Sequence, residues 1–182
     1  MGRWRYGLLG AWLGASYCAS PPPPAPAAPP AEPCKRETAT VTLAASTRAN
    51  ANEGGPGLPV AVRVYQLQRD SRLRNAAFDD VWQDDKAALK EDLLASEEHT
   101  AYPGQQAQFQ LALRPEARAI AAVALFREPQ SHDWFVIFDL PAQNEQPPCP
   151  VAEPQISLWV DRAKIQDGQG HELGASGTHP PE

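Results

Sequence analysis

The strongest constraint on the fold is a series of short segments in which apolar and polar side chains alternate. In residues 38–45 (TATVTLAA), Ala39, Val41 and Leu43 fall on one face and threonines fall on the other. Residues 60–67 (VAVRVYQL) repeat this period of two with β-branched residues. Because successive side chains of a strand point to opposite faces, each segment predicts a strand with one buried face.

Several segments in the second half of the chain also predict strands. Residues 106–113 and 155–160 alternate, whereas residues 119–126 and 134–140 are apolar at nearly every position. A strand that is apolar on both faces belongs in the middle of a structure that is covered on both sides. A last short strand is predicted over residues 163–166. About seven short strands separated by turn residues are typical of a β-sandwich.

The period changes in residues 71–95, which predict a helical insertion. Apolar side chains recur there near helical spacing, and charged side chains lie between them. Asn75 can cap a first helix, and Asp84 or Asp85 can cap a second helix that begins near Lys86, so two short helices are expected. The residues assigned to the buried face are Phe78, Val81, Trp82, Leu89 and Leu93.

Cys18 stands between an apolar N-terminal stretch and a proline-rich run, where an exported protein can be joined to a membrane lipid. Arg3 and Arg5 precede an apolar segment, residues 6–15, that is too short to span a bilayer, which takes about 20 residues. Residues 1–17 are therefore interpreted as a lipoprotein signal peptide and Cys18 as the lipidated residue. The alternative is an ordinary secretory signal, with Cys18 as a free or paired thiol.

Residues 18–37 are interpreted as a proline-rich tether. Only Ala, Ser, Glu and Pro occur between positions 19 and 33. Such a chain has no large apolar side chains for a core and favours an extended polyproline II spacer. Residues 38–167 then form one β-sandwich domain, and residues 168–182 predict a flexible tail.

Two further cysteines, Cys34 and Cys149, are predicted to form a disulfide. With Cys18 assigned to lipid, they are the remaining two of the three cysteines in the chain. Export favours their oxidation, and the bridge would join the start of the domain to its last strands. The chain-entropy model gives about 4–5 kcal/mol as an upper figure for so long a loop. Two unpaired thiols are the alternative.

Charge and motif content argue against several classes of function. The formal net charge is −6 and no basic patch occurs, which argues against nucleic acid as a partner. No phosphate loop, dinucleotide fingerprint or nucleophile elbow occurs, and no histidine has metal-ligand spacing. The acidic residues between 79 and 85 suit helix faces and caps. Glu97-Glu98-His99 is interpreted as a solvated helix end, and His132-Asp133 as a surface loop. No catalytic residue, metal, cofactor or small-molecule substrate is predicted.

Six segments follow one another in a distinctive order between Thr40 and Gln166. They are Pro59–Leu67 (PVAVRVYQL), Phe78–Trp82 (FDDVW), Leu89–Glu98 (LKEDLLASEE), Tyr102–Gln105 (YPGQ), Ala124–Pro129 (ALFREP) and Trp134. In order and spacing these segments resemble the TssJ family, the outer-membrane lipoproteins of the bacterial type VI secretion system. The family fold is a transthyretin-like sandwich of two sheets with a short helical insertion, in agreement with the architecture predicted from periodicity.

The resemblance also implies a partner. TssJ proteins anchor the secretion membrane complex by binding the periplasmic C-terminal domain of the inner-membrane protein TssM, mainly through the loop between the first two strands. In this chain that loop is residues 47–59, and its asparagines, glycines and prolines favour an exposed, turn-rich segment. The residues expected to contact a TssM-like protein are Asn50, Asn52, Glu53, Gly54, Gly55, Pro56, Gly57 and Leu58.

The expected protein is therefore a structural lipoprotein on the periplasmic face of the outer membrane, and not an enzyme. Two alternatives come from other classes of protein. A transthyretin-like periplasmic hydrolase predicts clustered histidines and arginines at strand ends, which the sequence lacks. A tethered carbohydrate- or peptide-binding module predicts exposed aromatic residues in one groove, whereas Trp82, Trp134 and Trp159 are assigned to the core.

Overall fold

Eight strands and a helical insertion make up the part of the chain that the structure, a computed structural model, describes: residues 37–52, 54–140 and 153–169. The helices are α1 (Ser71–Asn75) and α2 (Phe78–Leu89), followed by a 3₁₀ helix at Lys90–Asp92. The strands are β1 (Thr38–Ala45), β2 (Val60–Leu67), β3 (Leu93–Ala101), β4 (Gln106–Ala112), β5 (Ala119–Ala124), β6 (Phe135–Asp139), β7 (Gln155–Asp161) and β8 (Lys164–Asp167).

The strands form two sheets of four strands each. The first sheet has the order β4-β1-β7-β8, in which β1 runs parallel to β7 and the other pairs are antiparallel. The second sheet has the order β3-β2-β5-β6 and is antiparallel throughout. A two-sheet β-sandwich with a short helical insertion is therefore confirmed. Its likeness to transthyretin stays a prediction.

The core lies between the sheets and contains the alternating residues of the first two strands. Val41 and Leu43 of β1 are buried, as are Val62 and Val64 of β2. Full burial of such a side chain contributes about 1.5–3 kcal/mol to folding. Strand β5 is buried along its whole length, which confirms its predicted central position. Strand β6 is half-buried at the sheet edge, so a central position for it is wrong.

The helical insertion packs on the outer face of the second sheet. Arg63 and Tyr65 alternate with the inward-facing valines of β2 and reach towards α2. Arg63 Nη1 donates to the carbonyl oxygen of Val81 at 3.2 Å, and the Tyr65 hydroxyl donates to Asp85 Oδ2 at 3.0 Å. These contacts cover the second face of β2, which explains why its side chains are buried on both sides of the sheet.

Helix α2 is interrupted at Asp84, one of the two predicted caps. Asp84 has a non-helical φ of −151°, and its Oδ1 accepts the N–H of Ala87 at 2.9 Å, the arrangement of an N-cap. The predicted cap at Asn75 is wrong, because Asn75 ends α1 and its side chain donates to the carbonyl oxygen of Ser71. Helix α2 begins after Ala77 without a side-chain cap.

The predicted insertion extends too far, because β3 begins at Leu93. Lys90, with a φ of 51°, ends α2 and turns the chain towards this strand. Residues 97–99 therefore lie in a strand, and their interpretation as a helix end is wrong. Strand β3 is an edge strand with several exposed polar residues, so its sequence shows no apolar period of two that would identify it.

Only one of the three tryptophans assigned to the core lies in it. Trp134 is 2% exposed, whereas Trp82 is 54% exposed. Each residue along a helix turns the side chain by about 100°, so the position after the buried Val81 points away from the sheet. Trp159 alternates with the buried Leu158 of β7 and is half-buried on the outer face of the first sheet.

Candidate functional site

The long loop after β1 meets three other connections at one end of the sandwich. Within this end, the N–H of Ser46 donates to the carbonyl oxygen of Val160 at 2.8 Å. The N–H of Gly104 donates to the carbonyl oxygen of Ala45 at 2.9 Å. The base of the loop is therefore bonded to its neighbours. The four connections are residues 46–59 (β1–β2), 102–105 (β3–β4), 125–134 (β5–β6) and 162–163 (β7–β8).

One buried residue, Asn50, joins three of these connections. It is 7% exposed and has a φ of 52°, a conformation that Asn adopts more readily than most residues. Its Nδ2 donates to the carbonyl oxygen of Pro59 at 3.0 Å, and its Oδ1 accepts the N–H of Arg127 at 3.1 Å. Its own N–H donates to the carbonyl oxygen of Arg162 at 2.7 Å. Asn50 thus fixes the β1–β2 loop against the β5–β6 and β7–β8 connections.

Gly57 allows the β1–β2 loop to pass close to the β3–β4 turn. A Cβ atom at this position would overlap the carbonyl oxygen of Thr47 and would lie 3.0 Å from Cβ of Pro103. Gly104 has a φ of 72°, and the N–H of the next residue donates to the carbonyl oxygen of Tyr102 at 3.0 Å. Pro103 and Gly104 thus occupy the two central positions of a type II turn.

The residues predicted to contact a partner differ in exposure. Asn50 is buried and uses its amide within the protein. Glu53 lies outside the described residues, and so do the three predicted cysteine sites at Cys18, Cys34 and Cys149. The exposed members are Asn52, Gly54 and Pro56, and the half-buried members are Gly55, Gly57 and Leu58.

A cleft of about 840 Å³ opens between the β1–β2 loop, the β5–β6 loop and the β7–β8 turn; we refer to it as the end cleft. Arg48, Arg127 and Arg162 line it, one from each connection, and all three are exposed. Lys164 also lines the cleft, with its Nζ 3.9 Å from Asp133 Oδ1. Sequence reasoning missed this group because its members come from three distant parts of the chain and form no basic run.

The titratable groups under α2 form a structural cluster. Burial raises the pKa of the Tyr65 hydroxyl well above its usual range, since the phenolate would be poorly solvated there. Arg63 Nη1 lies 3.5 Å from Asp85 Oδ2, and Arg63 Nε donates to Glu98 Oε2 at 3.0 Å. The cluster attaches the helical insertion to β2 through charged and polar contacts.

Across 37–52, 54–140 and 153–169, no group of three or more His, Cys, Asp or Glu side chains is placed to hold a metal ion. Of the helices in these ranges, none has both the length and the apolar character needed to cross a bilayer.

The chain matches the sequence profile of the type VI secretion lipoproteins, a family that includes VasD, EvfM and TssJ, over residues 37–163. The chain belongs to the TssJ family. The resemblance seen in the ordered segments is therefore confirmed, and with it the assignment to a family of lipoproteins. Among curated proteins, none matches the chain significantly.

Solved structures show the same fold as this TssJ-family chain. TssJ1 from Pseudomonas aeruginosa is 20% identical, with a TM-score of 0.61 over 72% of this chain and 94% of that one. Lip from Serratia marcescens, a membrane-bound component of the type VI secretion system, is 21% identical, with a TM-score of 0.62 over 72% and 96%. A structure described as the TssM C-terminal domain from EAEC contains a chain that is 21% identical, with a TM-score of 0.57 over 72% and 97%.

Proposed function

We propose that this TssJ-family protein is a structural lipoprotein of the type VI secretion membrane complex and has no enzymatic role. A lipid on Cys18 holds it on the periplasmic face of the outer membrane. Its β1–β2 loop binds the periplasmic C-terminal domain of a TssM-like inner-membrane protein. Family membership supports the secretion role, and the similarity to a chain from a TssM structure supports the choice of partner.

The observation that carries the proposal is an exposed loop held in one conformation by buried contacts. Asn50 bonds the loop to two other connections, while Asn52, Gly54 and Pro56 remain exposed. Small residues leave backbone N–H and carbonyl groups accessible to a partner, and the rigid sandwich sets their direction. A loop that is already ordered loses little conformational entropy on binding. We therefore assign Asn50 a positioning role, and its exposed neighbours the contacts.

Titration calorimetry with the mature protein in mild detergent and the purified periplasmic domain of the TssM-like protein tests the binding site. Replacing Asn52, Glu53 and Leu58 together with Ala is expected to weaken binding by about tenfold or more, which corresponds to about 1.4 kcal/mol. Because Leu58 is half-buried, the variant that changes only Asn52 and Glu53 is measured beside it. Thermal unfolding reports whether each variant is folded.

The matched control lies at the opposite end of the sandwich, in the β4–β5 connection. Arg114 and Arg118 are exposed there, and their replacement with Ala is expected to leave the affinity unchanged. If both loop variants bind as tightly as the native protein, the interface lies elsewhere.

We also propose that Cys34 and Cys149 form a disulfide, and the register of β1 and β7 supports it. These strands are parallel neighbours with Thr40 opposite Gln155. Cys34 precedes Thr40 by six residues, and Cys149 precedes Gln155 by six residues. The equal offset of the two cysteines from one paired position supports their pairing, and a bridge requires Cα atoms about 4.4–6.8 Å apart.

Thiol labelling of the unreduced mature protein tests the pairing. No labelled cysteine is expected before reduction and two are expected after it, since Cys18 carries the lipid. Two reactive cysteines in the unreduced protein would rule the disulfide out.

Mass analysis of the mature N-terminus tests the anchor. The expected peptide begins at Cys18 and carries three acyl chains. A mature chain that begins at another residue, or an unmodified Cys18, would contradict lipid attachment.

A further inference from the structure

Three arginine side chains at the end cleft have no partner in the described part of the protein. None of Arg48, Arg127 and Arg162 makes an ion pair or a side-chain hydrogen bond with a residue in the described ranges. By contrast, Arg69 and Arg72 both pair with the buried carboxylate of Asp92. Among the described residues, the guanidinium groups at the end cleft are therefore unpaired, and we consider what ligand they fit.

The backbone near these arginines is fixed, although their side chains are exposed. Asn50 accepts the N–H of Arg127 and donates its own N–H to the carbonyl oxygen of Arg162, and Arg48 lies two residues before Asn50. The Arg48 N–H donates to Ser46 Oγ at 3.1 Å. One buried amide residue thus sets the relative positions of three connections that each carry one cation. Such preorganisation is typical of a binding surface.

The carboxylates in the cleft restrict what it can bind. Asp161 Oδ1 accepts the Ser46 hydroxyl at 2.5 Å, Asp133 pairs with Lys164, and Glu128 follows Arg127 in sequence. These negative charges repel a surface that presents many negative charges at once, such as a lipid phosphate surface. A protein segment with a few carboxylates separated by polar residues fits better, because each carboxylate can meet one guanidinium group.

We infer that the end cleft binds an acidic segment of the TssM-like partner, with Asp or Glu side chains paired to Arg48, Arg127 and Arg162. This inference rests on the proposed function and specifies the chemistry of its contact. The planar guanidinium group binds a carboxylate through two parallel hydrogen bonds, which fixes orientation as well as attraction. Because the whole chain has a net charge of −6, an acidic segment is repelled by most of the surface and guided to this end.

Calorimetric titration of the mature protein with the periplasmic domain of the TssM-like protein tests the inference. Arg48→Gln, Arg127→Gln and Arg162→Gln are each expected to weaken binding by about threefold to tenfold, and the triple variant by about thirtyfold or more. The control is Arg114→Gln, which removes an exposed arginine at the opposite end and is expected to leave the affinity unchanged.

Two further measurements separate ion pairing from loss of packing. Raising the salt concentration from about 0.05 to 0.5 M is expected to weaken the native complex and to affect the triple arginine variant much less. Arg127→Lys keeps the positive charge but lacks the planar guanidinium group. It is expected to bind with an affinity between those of the native protein and Arg127→Gln.

The outcomes distinguish this inference from the proposed function. If the Asn52 and Glu53 loop variant binds weakly while the triple arginine variant binds normally, the β1–β2 loop binds the partner and the inference of an acidic segment at the end cleft is wrong. If the native protein does not bind the periplasmic domain at all, both are wrong. If the triple variant loses binding only to phosphatidylglycerol vesicles and keeps its affinity for the periplasmic domain, the cleft binds lipid headgroups and the inference is overturned.

Discussion

Replacing Asn50 with Ala removes the contacts that hold the β1–β2 loop in place. Its side chain makes two hydrogen bonds, one to the carbonyl oxygen of Pro59 and one from the N–H of Arg127. Both of these backbone groups lose their partner when the amide is removed. The substitution also places Ala at a φ of 52°, which Asn tolerates better.

The size of the effect follows from these contacts. Each lost hydrogen bond lowers the free energy of unfolding by about 1 kcal/mol, and more if water does not reach the abandoned backbone group. The left-handed backbone adds about 1 kcal/mol for Ala. Asn50→Ala is therefore expected to lower the free energy of unfolding by about 3 kcal/mol, or the melting temperature by about 10 °C in a domain of this size.

Two companion variants separate the hydrogen bonds from the backbone strain. Asn50→Gly also loses both bonds but tolerates the positive φ, so it is expected to be about 1 kcal/mol more stable than Asn50→Ala. Asn52→Ala removes an exposed amide from the same loop and is expected to change stability by less than about 0.5 kcal/mol.

Urea unfolding measures these differences. Hydrogen exchange at the backbone N–H of position 50, which donates to the carbonyl oxygen of Arg162 and is retained in the Ala variant, shows whether the loop detaches without global unfolding. If Asn50→Ala and Asn52→Ala have equal stability and equal exchange at position 50, the Asn50 side chain does not hold the loop.

Three further predictions concern the helical insertion and the core. Trp82→Ala is expected to change the free energy of unfolding by less than about 0.5 kcal/mol and Trp134→Ala to lower it by about 3–5 kcal/mol, as measured by urea unfolding; equal losses would contradict the exposure of Trp82. Because burial raises the pKa of Tyr65, the folded state favours the protonated hydroxyl. This stabilisation is fully present below the unfolded-state pKa of about 10 and is lost as the pH rises above it. Unfolding curves between about pH 8 and 11 should show this loss in the native protein but not in Tyr65→Phe, and equal slopes would refute it. Asp92→Ala leaves Arg69 and Arg72 without their buried carboxylate; because both arginines are partly exposed, it should lower the free energy of unfolding by about 1 kcal/mol, whereas an unchanged urea midpoint would contradict this role.

Strands in which apolar and polar side chains alternate could be predicted from the sequence, because one face of such a strand is buried and the other is not. Strands β1, β2 and β4 follow the predicted segments closely. Strand β3 could not be predicted in this way, because it lies at a sheet edge and its backbone pairing with β2 offsets a polar sequence. The predicted end of the helical insertion, residue 95, was wrong for the same reason, because the sequence does not mark the start of β3 at Leu93. Trp82 shows a related difficulty, since a large aromatic residue beside a buried position need not share its face.

Of the candidate site, only the β1–β2 loop was predicted from the sequence. The resemblance to the TssJ family indicates residues 47–59, and the asparagine and glycine content indicates exposure. The role of Asn50 depends on hydrogen bonds to Arg127 and Arg162, which are distant in sequence. The cluster of arginines at the end cleft depends on the same folding. No local pattern in the sequence predicts either feature.

Site-specific crosslinking in cells tests whether this end of the sandwich contacts the inner-membrane partner. A photo-crosslinking amino acid in place of Asn52 is expected to form an adduct with the TssM-like protein, identified by mass spectrometry. The same amino acid in place of Arg118, at the opposite end, is expected to give no such adduct. Crosslinks to the TssM-like protein from position 118 and none from position 52 would show that the partner binds the opposite end of the sandwich.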